Sequence, residues 1–243
     1  MKIVIGAKGR LGKAILKKAP FTPLDKNELD ITDKNQVKEK IRELKPETVI
    51  NCAAFTDVNA CEKNVDECWR VNVYGVKNLL EACMENNAKL IHFSSNYAIE
   101  PVNEYAWTKK ASEKIVEDYG IVIRTSLYAE DYFMVKKLLA GEEITAFNDS
   151  YFNPISVYGL ADEVIKLSDS KKKGVVNIGT IDKITPFDFA KAFCKEFSVN
   201  ESLVKGVPKT DGEVKRARDL FIQPENELTL KEDLKKFKKE GDF

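Results

Sequence analysis

Tyr105 and Lys109 open and close the run Tyr105-Ala-Trp-Thr-Lys109. At that spacing both side chains lie on one face of a helix. A phenol titrates near about 10, so at neutral pH it is a poor proton shuttle. An adjacent ammonium stabilises the phenolate, so Lys109 is expected to lower the pKa of Tyr105 while also holding a ribose hydroxyl. Tyr105 then gives a proton to a carbonyl oxygen, or takes one from an alcohol. Ser95 ends the preceding apolar run, where its hydroxyl would hold the same oxygen. Asn72 would position a water or a backbone group behind Lys109. Tyr-x-x-x-Lys alone is a common pairing, and order and context give it meaning.

That context begins at the N-terminus, with Met1-Lys-Ile-Val-Ile-Gly-Ala-Lys-Gly-Arg-Leu-Gly12. A short apolar strand turns through Gly6, Gly9 and Gly12 into a helical pattern carrying Leu11, Ala14 and Ile15. Glycines let the backbone approach a pyrophosphate, and a helix N-terminus offers unpaired N–H groups. The spacing is G-x-x-G-x-x-G rather than G-x-G-x-x-G, so position after a strand carries the signal. Asp25 follows a second short strand, Phe21 to Leu24, where a dinucleotide's adenosine ribose is usually held. Its carboxylate favours NAD, whereas Lys26 and Arg10, expected near the same place, favour NADP. Asp25 also reads as a plain turn residue.

The elements that must position these groups alternate. Strands are expected at Glu47 to Ala54, Lys89 to Phe93 and Ile121 to Arg124, and helices at Val37 to Leu44, Val65 to Glu85 and Tyr105 to Tyr119. That pattern is α/β, a parallel sheet with helices on both faces. Beyond Thr125 the order loosens. Helices are expected at Phe133 to Ala140, Val157 to Leu167, Phe187 to Phe197 and Lys231 to Lys239, with strands at Ile144 to Phe147 and Gly174 to Ile178. The second half should close a lobe over the strand ends.

Composition narrows the function classes. Lys plus Arg equals Asp plus Glu at 39 each, which argues against a nucleic-acid footprint or a polybasic membrane patch. No apolar run is long enough for a membrane helix. The chain opens directly into strand and glycine turn, so no secretory leader is expected. Cys52, Cys61, Cys68, Cys83 and Cys194 are an odd set, read as reduced thiols in a cytoplasmic protein. With His92 the single histidine, no metal site is expected.

Taken in order, these stretches resemble the extended short-chain dehydrogenase/reductases, most closely the dTDP-4-dehydrorhamnose reductase family. The matching runs include Gly6-Ala-Lys-Gly-Arg-Leu-Gly12, Leu29-Asp-Ile-Thr-Asp33, Val49-Ile-Asn-Cys-Ala-Ala-Phe-Thr-Asp-Val58 and Val71-Asn72. Ser94-Ser-Asn-Tyr97, Pro101-Val-Asn-Glu-Tyr-Ala-Trp-Thr-Lys109 and Arg124-Thr-Ser126 continue the match, which reaches about residue 225. The resemblance implies a Rossmann-type doubly wound parallel sheet with a small C-terminal substrate lobe. The dinucleotide-binding core would span 1–127, with 155–180 returning to it, and the lobe 128–154 and 181–243.

It also implies NADP or NAD in the cleft and reduction of a keto group on a nucleotide-linked sugar. The catalytic roles fall to Tyr105, Lys109 and Ser95. Cofactor contacts fall to Gly6, Gly9, Arg10, Leu11, Asp25, Asp30, Ile31, Ala53, Ala54, Phe55, Asn72, Tyr105 and Lys109. Substrate contacts fall to Thr56, Val58, Ser95, Asn96 and Leu127. Two departures lie on the substrate side. The segment Asn96 through Glu104 is shorter than the family's, and Leu127 replaces a Trp. A non-catalytic dinucleotide-binding regulatory protein and a sugar-nucleotide epimerase or dehydratase stay open as alternatives. Trp107 points away from the Tyr105 face. Packing within the monomer is its simpler account, and a helix contact in a homodimer the other.

Overall fold

The computed structural model describes residues 1–210, 212 and 214–243. Its centre is a six-stranded parallel sheet. The first strands are β1 (Lys2–Ile5), β2 (Thr22–Leu24), β3 (Thr48–Asn51), β4 (Lys89–Phe93) and β5 (Ile121–Arg124). The helices between them are α1 (Arg10–Lys18), α2 (Lys34–Leu44), α3 (Val58–Lys63), α4 (Val65–Trp69), α5 (Val76–Glu85) and α6 (Glu104–Val116). Strands this uniformly apolar need cover on both sides. In β1, Val4 faces one core with Ile50, Ile91 and Ile123, beneath Leu11 and Ile15 of α1. Ile3 and Ile5 face the other, with Val49, Leu90 and Val122, beneath α2 and α5. The period of two along each strand thus divides one sheet between two cores.

The sheet order is β2-β1-β3-β4-β5 and then β9 (Gly174–Asn177). From β1 the chain moves outward to β2, then crosses back to lay β3 on the other side of β1. Such a reversal opens a crevice at the carboxyl ends of the two strands. Two glycines make the turn into it. Gly6 has φ +76°, and a Cβ there would meet the Ala53 nitrogen at 2.7 Å. A Cβ on Gly12 would meet the Gly6 carbonyl oxygen at 2.5 Å. Gly9 precedes α1 with no side-chain cap, leaving the helix N–H groups open.

The second half contributes β6 (Leu127–Tyr128), α7 (Phe133–Leu139), β7 (Ile144–Phe147), β8 (Ile155–Ser156) and α8 (Val157–Asp169). After β9 come α9 (Pro186–Phe197), β10 (Val204–Val207) and α10 (Leu230–Glu240). β7 pairs with β10, and β6 with β8, both parallel. α10 is anchored by a fully buried carboxylate. Asp233 accepts from the Tyr128 hydroxyl at 2.8 Å and from the Ser156 N–H and hydroxyl at 2.7 Å each. Among the described residues no helix is long and apolar enough to cross a membrane, and no cluster could hold a metal ion.

Three expectations need correction. The third strand stops at Asn51, because the Asn51 side chain captures the Ala53 N–H at 3.1 Å and turns the chain out of the sheet. The long helix is interrupted by a π turn, Arg70–Gly75. Trp107 is half exposed, so packing within the monomer accounts for only part of its surface.

Candidate active site

Three cavities lie along the strand ends and share walls. The first, of about 450 Å³, is bounded by Gly6, Asp25, Asp30, Ile31, Ala53 and Phe55. The second, of about 420 Å³, holds Ser95, Tyr105 and Lys109, with Leu11, Thr56, Val58, Asn96 and Leu127 around them. Gly9, Cys52 and Ala54 border both. The third, of about 470 Å³, meets the second at Asn96, Tyr97, Ser126 and Tyr132.

Helix α6 places Tyr105 in its first turn, fixed by the Asn103 side chain, which caps the Ala106 N–H at 2.8 Å. Lys109 follows one turn later, 2% exposed. Its ammonium donates to the Phe93 carbonyl at 3.0 Å and lies 5.8 Å from the centre of the Tyr105 ring. Burial pushes Lys109 down to about 8. Tyr105 departs from expectation: burial pushes its phenol up, and the nearby Ser95 hydroxyl only partly offsets this. Lys109 spends its hydrogen bond on a backbone carbonyl and faces the ring, so desolvation outweighs its field at the phenol.

Asn72 sits in the π turn, 1% exposed, and borders none of the cavities described. It accepts from the Phe55 N–H at 2.8 Å and donates to the Phe55 carbonyl at 2.9 Å and the Thr108 hydroxyl at 3.1 Å. A cofactor contact through this side chain is therefore replaced by a grip on the loop that lines the crevice. Asn96 borders the second cavity, but its amide donates to the Leu220 carbonyl at 2.9 Å. Asp25 accepts from the Asn27 N–H at 2.7 Å, so the turn reading holds, and it also pairs with Lys8. Lys8, not Arg10, is the cation at Asp25, and its hydrogen bond holds the carboxyl below the ordinary value. Arg10 instead borders the second cavity and faces Asp131 at 3.5 Å.

The residues present fit a dinucleotide. The Gly6 and Gly12 positions exclude any Cβ, α1 offers uncapped N–H groups, and acidic side chains stand at the far end. The buried Thr125 hydroxyl, in the wall of the second cavity, has no hydrogen-bond partner. The third cavity escaped the sequence reading. Tyr132, Phe147 and Phe152 line it with Lys209, Arg216 and Arg218. The run Lys215-Arg-Ala-Arg218 was its one visible signal.

A parallel sheet with its reversal at a glycine turn, and a Tyr–Lys pair beyond the fourth strand, defines a short-chain dehydrogenase/reductase-type protein. The family model described as the RmlD substrate binding domain matches residues 1–220, and the chain belongs to that family. A dTDP-4-keto-6-deoxy-D-glucose reductase of Streptomyces niveus is 26% identical, covering 85% of this chain and 82% of its own. Among solved structures, a dTDP-4-dehydrorhamnose reductase from Bacillus anthracis in complex with NADP superimposes with a TM-score of 0.92, at 26% identity over 98% of each chain. Another, from Clostridium acetobutylicum, gives 0.89 at 28% identity over 98% of this chain and 99% of its own.

Proposed function

We propose that this chain is an NAD(P)H-dependent reductase of a keto group on a nucleotide-linked sugar. The observation that carries the reading is the convergence of Ser95, Tyr105 and Lys109 in one cavity that shares walls with the glycine-turn crevice. Gly6, Gly9 and the start of α1 would hold the cofactor's pyrophosphate, and Asp25, Asp30 and Ile31 its adenosine end. When bound, the nicotinamide supplies the hydride. Tyr105 delivers the proton to the developing alkoxide, Ser95 holds that oxygen, and the Lys109 ammonium favours the phenolate left behind. The raised phenol in the buried site keeps Tyr105 protonated and ready to donate. The aromatic walls and arginines of the third cavity match a base and a diphosphate.

The same reading divides the chain into a core of 1–127 with 155–180, supported by β9 pairing with β5, and a lobe of 128–154 and 181–243. The exposed Trp107 supports a homodimer, measurable by sedimentation.

The test mixes purified protein with NADPH or NADH and a dTDP-4-keto-6-deoxysugar and follows loss of the reduced cofactor's absorbance. Tyr105→Phe should bind the dinucleotide but lose roughly 10²–10⁴-fold in turnover. Binding without turnover on any ketosugar would favour a regulatory role. NAD that survives purification would favour an epimerase.

A further inference from the structure

Three buried polar side chains stand between the crevice and α6 with no part in the chemistry above: Asn51, His92 and Ser112, none more than 1% exposed. Asn51 and His92 are direct neighbours in the β3–β4 ladder. The Asn51 carbonyl oxygen accepts the Ala53 N–H, which turns its NH₂ group toward His92 Nδ1 at 3.4 Å. Nδ1 must then be the acceptor, so the ring proton sits on Nε2 and is given to the Ser112 hydroxyl at 3.0 Å. Ser112 passes its own proton to the Lys109 carbonyl at 2.9 Å. Every donor in this series has an acceptor, and only one tautomer satisfies it. Burial and the Lys109 charge both hold the imidazole well below its ordinary pKa.

The two ends of the series matter. Ala53 belongs to the segment that packs on Gly6 and lines the first cavity. Lys109 stands over the Tyr105 ring, and its ammonium is tied to Phe93, the residue after His92. We propose that His92 is a positioning residue: its imidazole joins the Ala53 segment to the Lys109 turn, so that dinucleotide in the crevice sets where Lys109 stands beside Tyr105. The proposal rests on the dinucleotide reading of the crevice.

As the chain's single histidine, His92 gives one set of imidazole signals in protein carrying ¹⁵N-labelled histidine. The neutral Nε2–H tautomer is expected, with both nitrogen resonances moving when NADP⁺ or NAD⁺ is added. A charged ring, the Nδ1–H tautomer, or resonances unmoved while calorimetry records binding would overturn the relay. No heat of binding for either dinucleotide would instead overturn the reading beneath it, so the two failures are distinct. Ser112→Ala cuts the series at its far end with a small, helix-compatible side chain. It is expected to lower kcat about tenfold while the dinucleotide Kd holds near wild type, with Tm lowered by a few degrees because the buried His92 Nε2–H loses its acceptor. His92→Gln, able to donate and accept, should retain more turnover than His92→Leu. Wild-type kcat in Ser112→Ala, or equal losses in His92→Gln and His92→Leu, would overturn the role.

Discussion

Asn72 holds the peptide of Phe55 at both ends, accepting from its N–H at 2.8 Å and donating to its carbonyl at 2.9 Å. A side-chain amide thereby replaces a strand partner for a segment that has already left the sheet. The π turn brings Asn72 there, and such turns often mark functional positions. Asn72→Ala leaves the part-buried Phe55 N–H without its partner and the carbonyl with only the Cys61 thiol at 3.8 Å. A loss of about 2–4 kcal/mol in urea unfolding is expected, with weaker dinucleotide binding by calorimetry. Wild-type affinity in the folded variant would show that the crevice does not depend on this grip.

The Lys109 ammonium, held at about 8 rather than 10.5 by burial, gives activity a basic limb. In the free enzyme kcat/KM should fall as pH rises past about 8, as the charge at Tyr105 is lost. For stability the sign is opposite. Between about 8 and 10.5 the unfolded chain binds the proton more strongly than the native one, so this group's contribution improves with rising pH. Wild type should gain about 3 kcal/mol relative to Lys109→Met across that window, read from denaturation midpoints.

Asp233 runs the other way. Burial raises it to about 6 from 3.8, so the native state holds its proton where the unfolded chain releases it. Its contribution is favourable below about 4 and is lost as pH climbs to about 6, a change near 3 kcal/mol. Asp233→Asn keeps the shape and accepts from Tyr128, and should remove this slope from the stability curve. Parallel curves for the two proteins would count against the assignment.

Gly12 and Gly141 differ in kind. A Cβ on Gly12 runs into the Gly6 carbonyl, whereas one on Gly141 meets nothing within 4 Å, although its φ is +73°. Gly12→Ala should cost about 3 kcal/mol or more and abolish dinucleotide binding. Gly141→Ala should cost only the backbone strain of about 1–2 kcal/mol and leave binding intact. Melting curves with and without NADP⁺ separate the two.

What could be read from the sequence was local. The strands appear as short apolar runs because burial on both faces leaves no polar alternation to blur them, as in Ile121-Val-Ile123. Tyr105 and Lys109 are one helical turn apart, so spacing alone places them together. Contacts between distant residues were not legible. Lys8 at Asp25, Asn72 at Phe55 and Arg216 in the third cavity each depend on how loops meet after the sheet has formed. The direction of the Tyr105 shift was missed for a related reason. Spacing reports the ammonium's presence, but not that it turns to the Phe93 carbonyl in a desolvated site.

β9 reaches β5 only after the chain has wandered through β6, α7, β7, β8 and α8. Until it arrives, the ladder groups of Ile121 through Arg124 face outward, an apolar strand edge able to template another molecule. Released from the ribosome as a piece ending near Leu127, the N-terminal half should therefore aggregate rather than stay dispersed. In the folded chain β9 covers that edge along its whole length, from Ile121 to Arg124.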